Sequence, residues 1–291
     1  MYSQHIPTYA RFQWINNRRI IRLLEQALPY AGTGRRGHHK SLLFRWLMYK
    51  QVMGCSYRDL ESMSGIDFTT FIKFREKIKQ NGWLENVFTV VAKSVAHTRK
   101  SLTLITDSSF VEQYARHQET GAEYSGHKEK TGFKLHQIID FKTRLPLAQV
   151  ATGGARADVI LAQQLVKQLP KYWPIQSFLA DKGYDSNAFA QQLHHKWFGI
   201  KVGIPVRRTS QAARKSRRQE TPLNRQAKEA NRYLNQKFYN RRTEIERYFS
   251  RKKHVFNLGC ERTRGLDNFD ANCLMTSVME QLEYMSKPGL G

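Results

Sequence analysis

The stretch LTLITD, residues 102–107, decides how this chain is read. Upstream of it apolar residues recur at helical spacing; from it onward they fall into extended, β-rich runs. Outward from this point, FKLHQIIDF (133–141) and LPLAQVAT (145–152) form two strand-like runs joined by the turn-like KTR. ARADVILAQQLVKQL then reads as an amphipathic helix ended by Pro170. QSFLAD (176–181) is a further strand, SNAFAQQLHHKW a helix and IKVGIPV a strand. The order is three strands, helix, strand, helix, strand, then long helices, which places the main domain in the α/β class.

Before residue 100 the pattern is helical. Residues 14–28 carry Ile20, Leu23, Leu24, Ala27 and Leu28 on one face and stop at Pro29 and AGTGRRG; residues 41–53 form a second helix. YRDLESMSG and DFTTFIKFREKI read as two short helices around a turn at Gly65, a helix-turn-helix pattern. Leu60, Met63, Phe71 and Phe74 are expected to point inward. Arg58, Thr69, Thr70, Lys73 and Arg75 are then expected to face a DNA groove, with a helical bundle that merely packs as the alternative. WLENVFTVVAKSVAHTRK leads into the main domain. The expected division is a helical unit over 1–98 and a second domain over 99–291.

The chain has 291 residues, enough for a sizeable core. Its 48 Lys and Arg against 24 Asp and Glu give a net charge of +24, far beyond the need for solubility, so the expected partner is a polyanion. With 40% hydrophobic residues, this charge decorates a folded protein rather than a low-complexity coat. Cys55, Cys260 and Cys273 form no CxxC pair and have no zinc-like spacing to His254, which fits a reduced, cytoplasmic compartment. Neither a signal core nor an uninterrupted apolar span is visible, since SLLFRWLMYKQVMG is broken by Arg45 and Lys50. Residues 207–237 hold ten Lys or Arg and two Glu. They read as an exposed basic loop, suited to clamping a phosphate backbone.

LTLITD and QSFLAD each end in an aspartate, and a strand-ending aspartate is ordinary turn chemistry taken singly. Downstream, Tyr239, Arg242, Glu246 and Lys253 fall within about 60° of arc on a continuous helix. Phe238, Ile245, Phe249 and Phe256 form a neighbouring stripe that gives the helix a face to bury. Glu244 lies about 160° away from Glu246 and is expected to face solvent or the other side. Taken alone, Arg242 and Glu246 are also a common i,i+4 surface pair. Asp107, Asp181 and Glu246 from separated segments are the natural oxygen ligands for a hard divalent cation in phosphodiester chemistry.

The combination Tyr-x2-Arg-x3-Glu-x6-Lys at 239–253, with DSS at 107–109 and DKGYDS at 181–186, resembles the DDE transposases of bacterial insertion sequences, in the IS4/IS5-like branch. The resemblance covers roughly residues 100–285. It implies an RNase H-like catalytic core, a mixed five-stranded sheet with flanking helices, preceded by a small all-α helix-turn-helix-like domain. It implies that Asp107, Asp181 and Glu246 bind Mg²⁺, with Mn²⁺ as a substitute, and cut transposon ends before the freed 3′-hydroxyl is joined to target DNA. Tyr239, Arg242 and Lys253 are implied to hold the transposon end. The implied partners are double-stranded DNA, as terminal inverted repeats and target, and a second copy of the chain in a dimer or larger assembly on DNA. The 64 residues between Asp181 and Glu246 leave no room for a large insertion, so Arg207, Arg208, Arg214, Lys215, Arg217 and Arg218 are expected to supply DNA contacts. In YSGHKEKTGFKLHQ, Lys128, Lys130 and Lys134 are further candidates, with a solvated hairpin equally compatible. Asp158 reads as a helix N-terminal acid. Two other readings stay open: an RNase H-like nuclease that cuts without joining, and an inactive DNA-binding relative.

Overall fold

The structure is a computed structural model that describes residues 5–28, 37–97, 99–206, 232–233, 235–259 and 264–287. The basic positions 207, 208, 214, 215, 217 and 218 and Cys260 lie outside the described residues. Contacts divide the chain into two compact units, residues 1–93 with 251–291, and residues 94–250.

The first unit contains helices α1 (Arg18–Ala27), α2 (Lys40–Met53), α3 (Tyr57–Ser64), α4 (Phe68–Gln80) and most of α5 (Trp83–His97). The Ser56 hydroxyl and Asp59 carboxylate form a reciprocal capping box that starts α3, and Asp67 caps α4 by accepting from Thr69 N at 2.8 Å. Gly65 takes φ of 70° between them, a backbone state that side chains with a Cβ resist. α2 is buried on nearly all sides, which is why its apolar residues show no amphipathic stripe. Its buried Arg45 is satisfied by donating to the Ile15 carbonyl at 2.8 Å. Leu60, Phe71 and Phe74 are buried as expected. Met63 is not: it is 40% exposed, its sulfur accepting from the Tyr49 hydroxyl.

The second unit is built on a mixed sheet of β1 (Leu102–Glu112), β2 (Glu123–Ser125), β3 (Lys130–Asp140), β4 (Pro146–Gly153), β5 (Ile175–Leu179) and β6 (Lys201–Gly203). The order is β2-β3-β1-β5-β6, with β4 also on β3. β3 runs antiparallel to β1, β2 and β4, whereas β1, β5 and β6 are parallel. Two helices, α6 (Asp158–Gln168) and α7 (Asn187–Lys196), supply the crossovers that parallel pairing requires. This is the expected mixed sheet with flanking helices, extended by the short strand β2.

Candidate active site

β5 ends at Leu179, opposite Ile105 of β1, but β1 continues to Glu112 on its β3 ladder. Asp107 therefore lies mid-strand, paired with Gln137, and not at a strand end as LTLITD implied. The extended run persists because β3 is equally long and satisfies its backbone groups. Asp107 is still the point at which β1 has outrun its parallel neighbour, and Asp181 follows the end of β5. Open α/β sheets place ligands outside the carboxyl ends of parallel strands.

Asp181 caps the 3-10 turn Lys182–Tyr184, its Oδ1 accepting from Gly183 N at 2.7 Å. Asp107 Oδ1 accepts from Ser108 N at 2.8 Å. Burial raises the Asp107 carboxyl to about 6; the Ser108 N–H opposes this, and the Asp181 charge adds to it. Tyr184 of the same DKGYDS segment is 2% exposed. Burial, then the charges of Asp107, Asp158 and Asp181, push its hydroxyl well above the ordinary tyrosine range.

The segment bearing Tyr239 is not one continuous α-helix. A single α turn, α8 (Gln236–Tyr239), tightens into a 3-10 turn over Asn240–Thr243 before α9 (Glu244–Val255) begins. The division between the two units falls within α9. Arg242 still reaches Glu246, Nη2 to Oε1 at 2.8 Å, and its guanidinium lies 5.9 Å from the Tyr239 ring centre. Nη1 lies 3.8 Å from Asp107 Oδ2, so one guanidinium stands between two of the three acids. No group of three His, Cys, Asp or Glu side chains among the described residues is arranged to hold an ion. The donor chemistry of Asp107 and Asp181 fits a hard cation: two carboxylates whose charges influence each other, of which Asp107 is half-buried and held up in pKa. Glu246, its side chain 57% exposed, is turned to Arg242 instead. Glu244 lies on the other side, bound to Arg144 at 2.8 Å. Ile245 and Phe249 are buried as the apolar stripe required.

Behind Asp107 is a polar cluster that spacing did not reveal. Asp158, in the first turn of α6, receives Lys134 Nζ at 3.1 Å and lies 3.4 Å from His136 Nδ1; His136 Nε2 is 3.0 Å from the Thr152 hydroxyl. Burial depresses the His136 imidazole to about 4, so it is neutral at neutral pH. Alternation along β3 puts 134 and 136 on one face of the strand, but nothing in that spacing reports Asp158 beside them. Asp185 holds the buried Arg232, Nη2 to Oδ1 at 3.0 Å, an anchor with no sequence signal.

The other sequence candidates are scattered. Lys134 is committed to Asp158, not offered outward. Lys128 is exposed in the β2–β3 turn, and Lys130 pairs with Glu112 at 2.5 Å. Arg58 and Lys73 are exposed on α3 and α4, whereas Arg75 is half-buried and donates to Asn272 Oδ1 at 2.9 Å. Lys253 lies on α9, half-buried, seven residues after Glu246.

A family described as "Transposase DDE domain" matches residues 98–279, well over half the chain. No curated protein matches. Among solved structures, a piggyBac transposase synaptic complex with hairpin DNA is 18% identical with a TM-score of 0.35, covering 72% of this chain and 53% of that one. A Drosophila P element transposase strand transfer complex is 14% identical with a TM-score of 0.30, covering 63% and 40%. This chain thus spans about half the length of these two relatives or less.

Proposed function

Since this chain belongs to the transposase DDE domain family, we propose that it is a DNA transposase that cleaves the ends of its element and joins the freed 3′-hydroxyl to target DNA. What supports this reading is that Asp107 lies just beyond the point where β1 outruns β5 and Asp181 follows the end of β5, that the Asp181 charge is felt at Asp107, and that Arg242 lies 3.8 Å from Asp107 while paired to Glu246. Asp107 and Asp181 would hold a divalent cation, Mg²⁺ or Mn²⁺, and Glu246 would complete the set once released from Arg242. A bound cation would supply positive charge at the scissile phosphate and at the leaving oxygen.

Arg242 is suited to exchange its carboxylate partners for a DNA phosphate, since a guanidinium pairs with either in the same planar geometry. Tyr239, beside it, is suited to stack on a terminal base. Lys253 and the basic segment containing Arg207, Arg208, Arg214, Lys215, Arg217 and Arg218 would add phosphate contacts, and two copies would bring two ends together.

Asp107→Ala and Glu246→Gln are expected to abolish divalent-cation-dependent nicking of duplex carrying the element ends, with duplex affinity kept within about a factor of ten. Continued cutting by either variant sinks the assignment of these acids. A precleaved end with a 3′-hydroxyl should be joined to a second duplex; nicking without joining would reduce the protein to a nuclease.

A further inference from the structure

At the opposite end of the parallel strands lies an open cleft of ≈ 640 Å³, whose lining includes Lys201, Lys237, Arg241, Phe198, Tyr233 and Phe238. Its floor is a cross-strand row, Thr103, Ser177 and Lys201, one residue from each of β1, β5 and β6. Asp107 follows Thr103 by four residues on the same face of β1, roughly 13 Å along the strand. The segment over this face presents Arg242 to Asp107 and Arg241 to the cleft.

The lining contains no acidic residue. None of Lys201, Lys237 and Arg241 is ion-paired to a carboxylate among the described residues. Lys201 instead lies 5.1 Å from the Tyr233 ring centre and Arg241 5.3 Å from that of Phe238. Tyr233 and Phe238 meet edge to face at 5.1 Å, and the backbone N–H of Tyr233 donates to Val202 O at 2.7 Å, which fixes that wall to the sheet. Phe198 at the cleft has its ring fully in water, an exposure that nothing among the described residues offsets.

We propose that this cleft is a binding site for an unpaired strand of DNA, its phosphates on Lys201, Lys237 and Arg241 and its bases on the Phe198 and Tyr233 rings. Cations beside exposed aromatic rings are the combination by which proteins hold single strands, since every base offers a π face and every nucleotide a phosphate. The volume is in the range that encloses one small molecule, so it takes a base or two and not a stacked duplex. An acidic peptide would satisfy the cations but leave the rings without partners. The strand leaving the carboxylates could continue along the same sheet face, but binding here does not depend on cleavage.

The test uses the full chain in chelator, so that a protein unable to cut still gives the readout. Affinities for short oligothymidine and for blunt duplex are measured for the wild type, Phe198→Ser, and the pair Lys201→Gln with Lys237→Gln. All three side chains are exposed, so the variants should fold. We expect each variant to lose about fivefold or more toward oligothymidine and to stay within about twofold toward duplex. Unchanged oligothymidine affinity, or equal loss toward both ligands, overturns the site. Photocrosslinking with bromodeoxyuridine in the oligonucleotide should mark Phe198 or Tyr233; crosslinks confined to other residues would also overturn it.

Discussion

Asp107 is where a single side chain sets a measurable property. Ionising its carboxyl is harder in the fold than in the unfolded chain, so the native state keeps the proton up to about pH 6. At this group the unfolded chain therefore binds fewer protons between the ordinary carboxylate range and pH 6, and the contribution of Asp107 to cation-free stability should fall as pH rises through that window, then level off. A shift of this size corresponds to about 3 kcal/mol at most. Asp107→Asn should remove that contribution and gain on the wild type between pH 4 and pH 7, as urea midpoints of the two proteins in chelator would reveal; a difference between them that is the same at both pH values would contradict it. Among single residues, the Tyr239–Arg242–Glu246 spacing and the exclusion of Glu244 were legible because helical phase survives a tightened turn. Tyr184, His136 and Arg232 were not legible, because their neighbours come from distant segments. The partners of Arg75 were not legible for the same reason: Asn268 and Asn272 reach it from helix α10 (Leu266–Met285), nearly two hundred residues away.

The elements themselves were readable from periodicity, but their lengths and junctions were not. β1 outlasts its apolar run because the β3 ladder carries it, and the two strands cross closely at Gly132. A Cβ there would lie 2.2 Å from the Val111 carbonyl oxygen and 2.9 Å from Glu112 Cα, contacts that backbone cannot relieve cheaply. Gly132→Ala should destabilise by about 1–3 kcal/mol. Because Asp107 rides on the same strand, nicking should fall in the fraction that remains folded; unaltered thermal unfolding would show that the strands can part without cost. In the first unit, α9 turns Lys252 inward, fully buried, to Ser277 and to Glu280 at 3.3 Å on α10. Lys252→Met takes the closer cation from the buried Glu280 carboxylate, leaving Arg251 at 3.8 Å, and should cost about 3–5 kcal/mol, whereas Lys252→Met with Glu280→Leu should recover most of that loss. Equal destabilisation by the single and double variants would argue that packing, not charge, is the issue.

At the scale of the whole molecule, the excess of 48 basic over 24 acidic residues was the earliest clue and remains the broadest. Duplex affinity should fall steeply and log-linearly with salt as phosphate contacts release counterions; a flat response would leave the charge without a partner. The α/β class was legible in the alternation of runs, because each strand and helix signals locally. The grouping of residues 251–291 with 1–93 was not, because no spacing reports which distant helix another will meet. That grouping fixes an order of events. Gln51 donates to the Phe256 carbonyl and Gln281 to that of Phe88, so these interior bonds of the helical unit join segments nearly two hundred residues or more apart. On a ribosome, α1 to α4 emerge first yet lack their closing helix until residues 94–250 have been made. The sheet-bearing unit has all its strands while its elder neighbour is still unfinished, so the sheet can fold co-translationally ahead of the helices that precede it, and those helices are the part of the nascent chain most in need of chaperone cover.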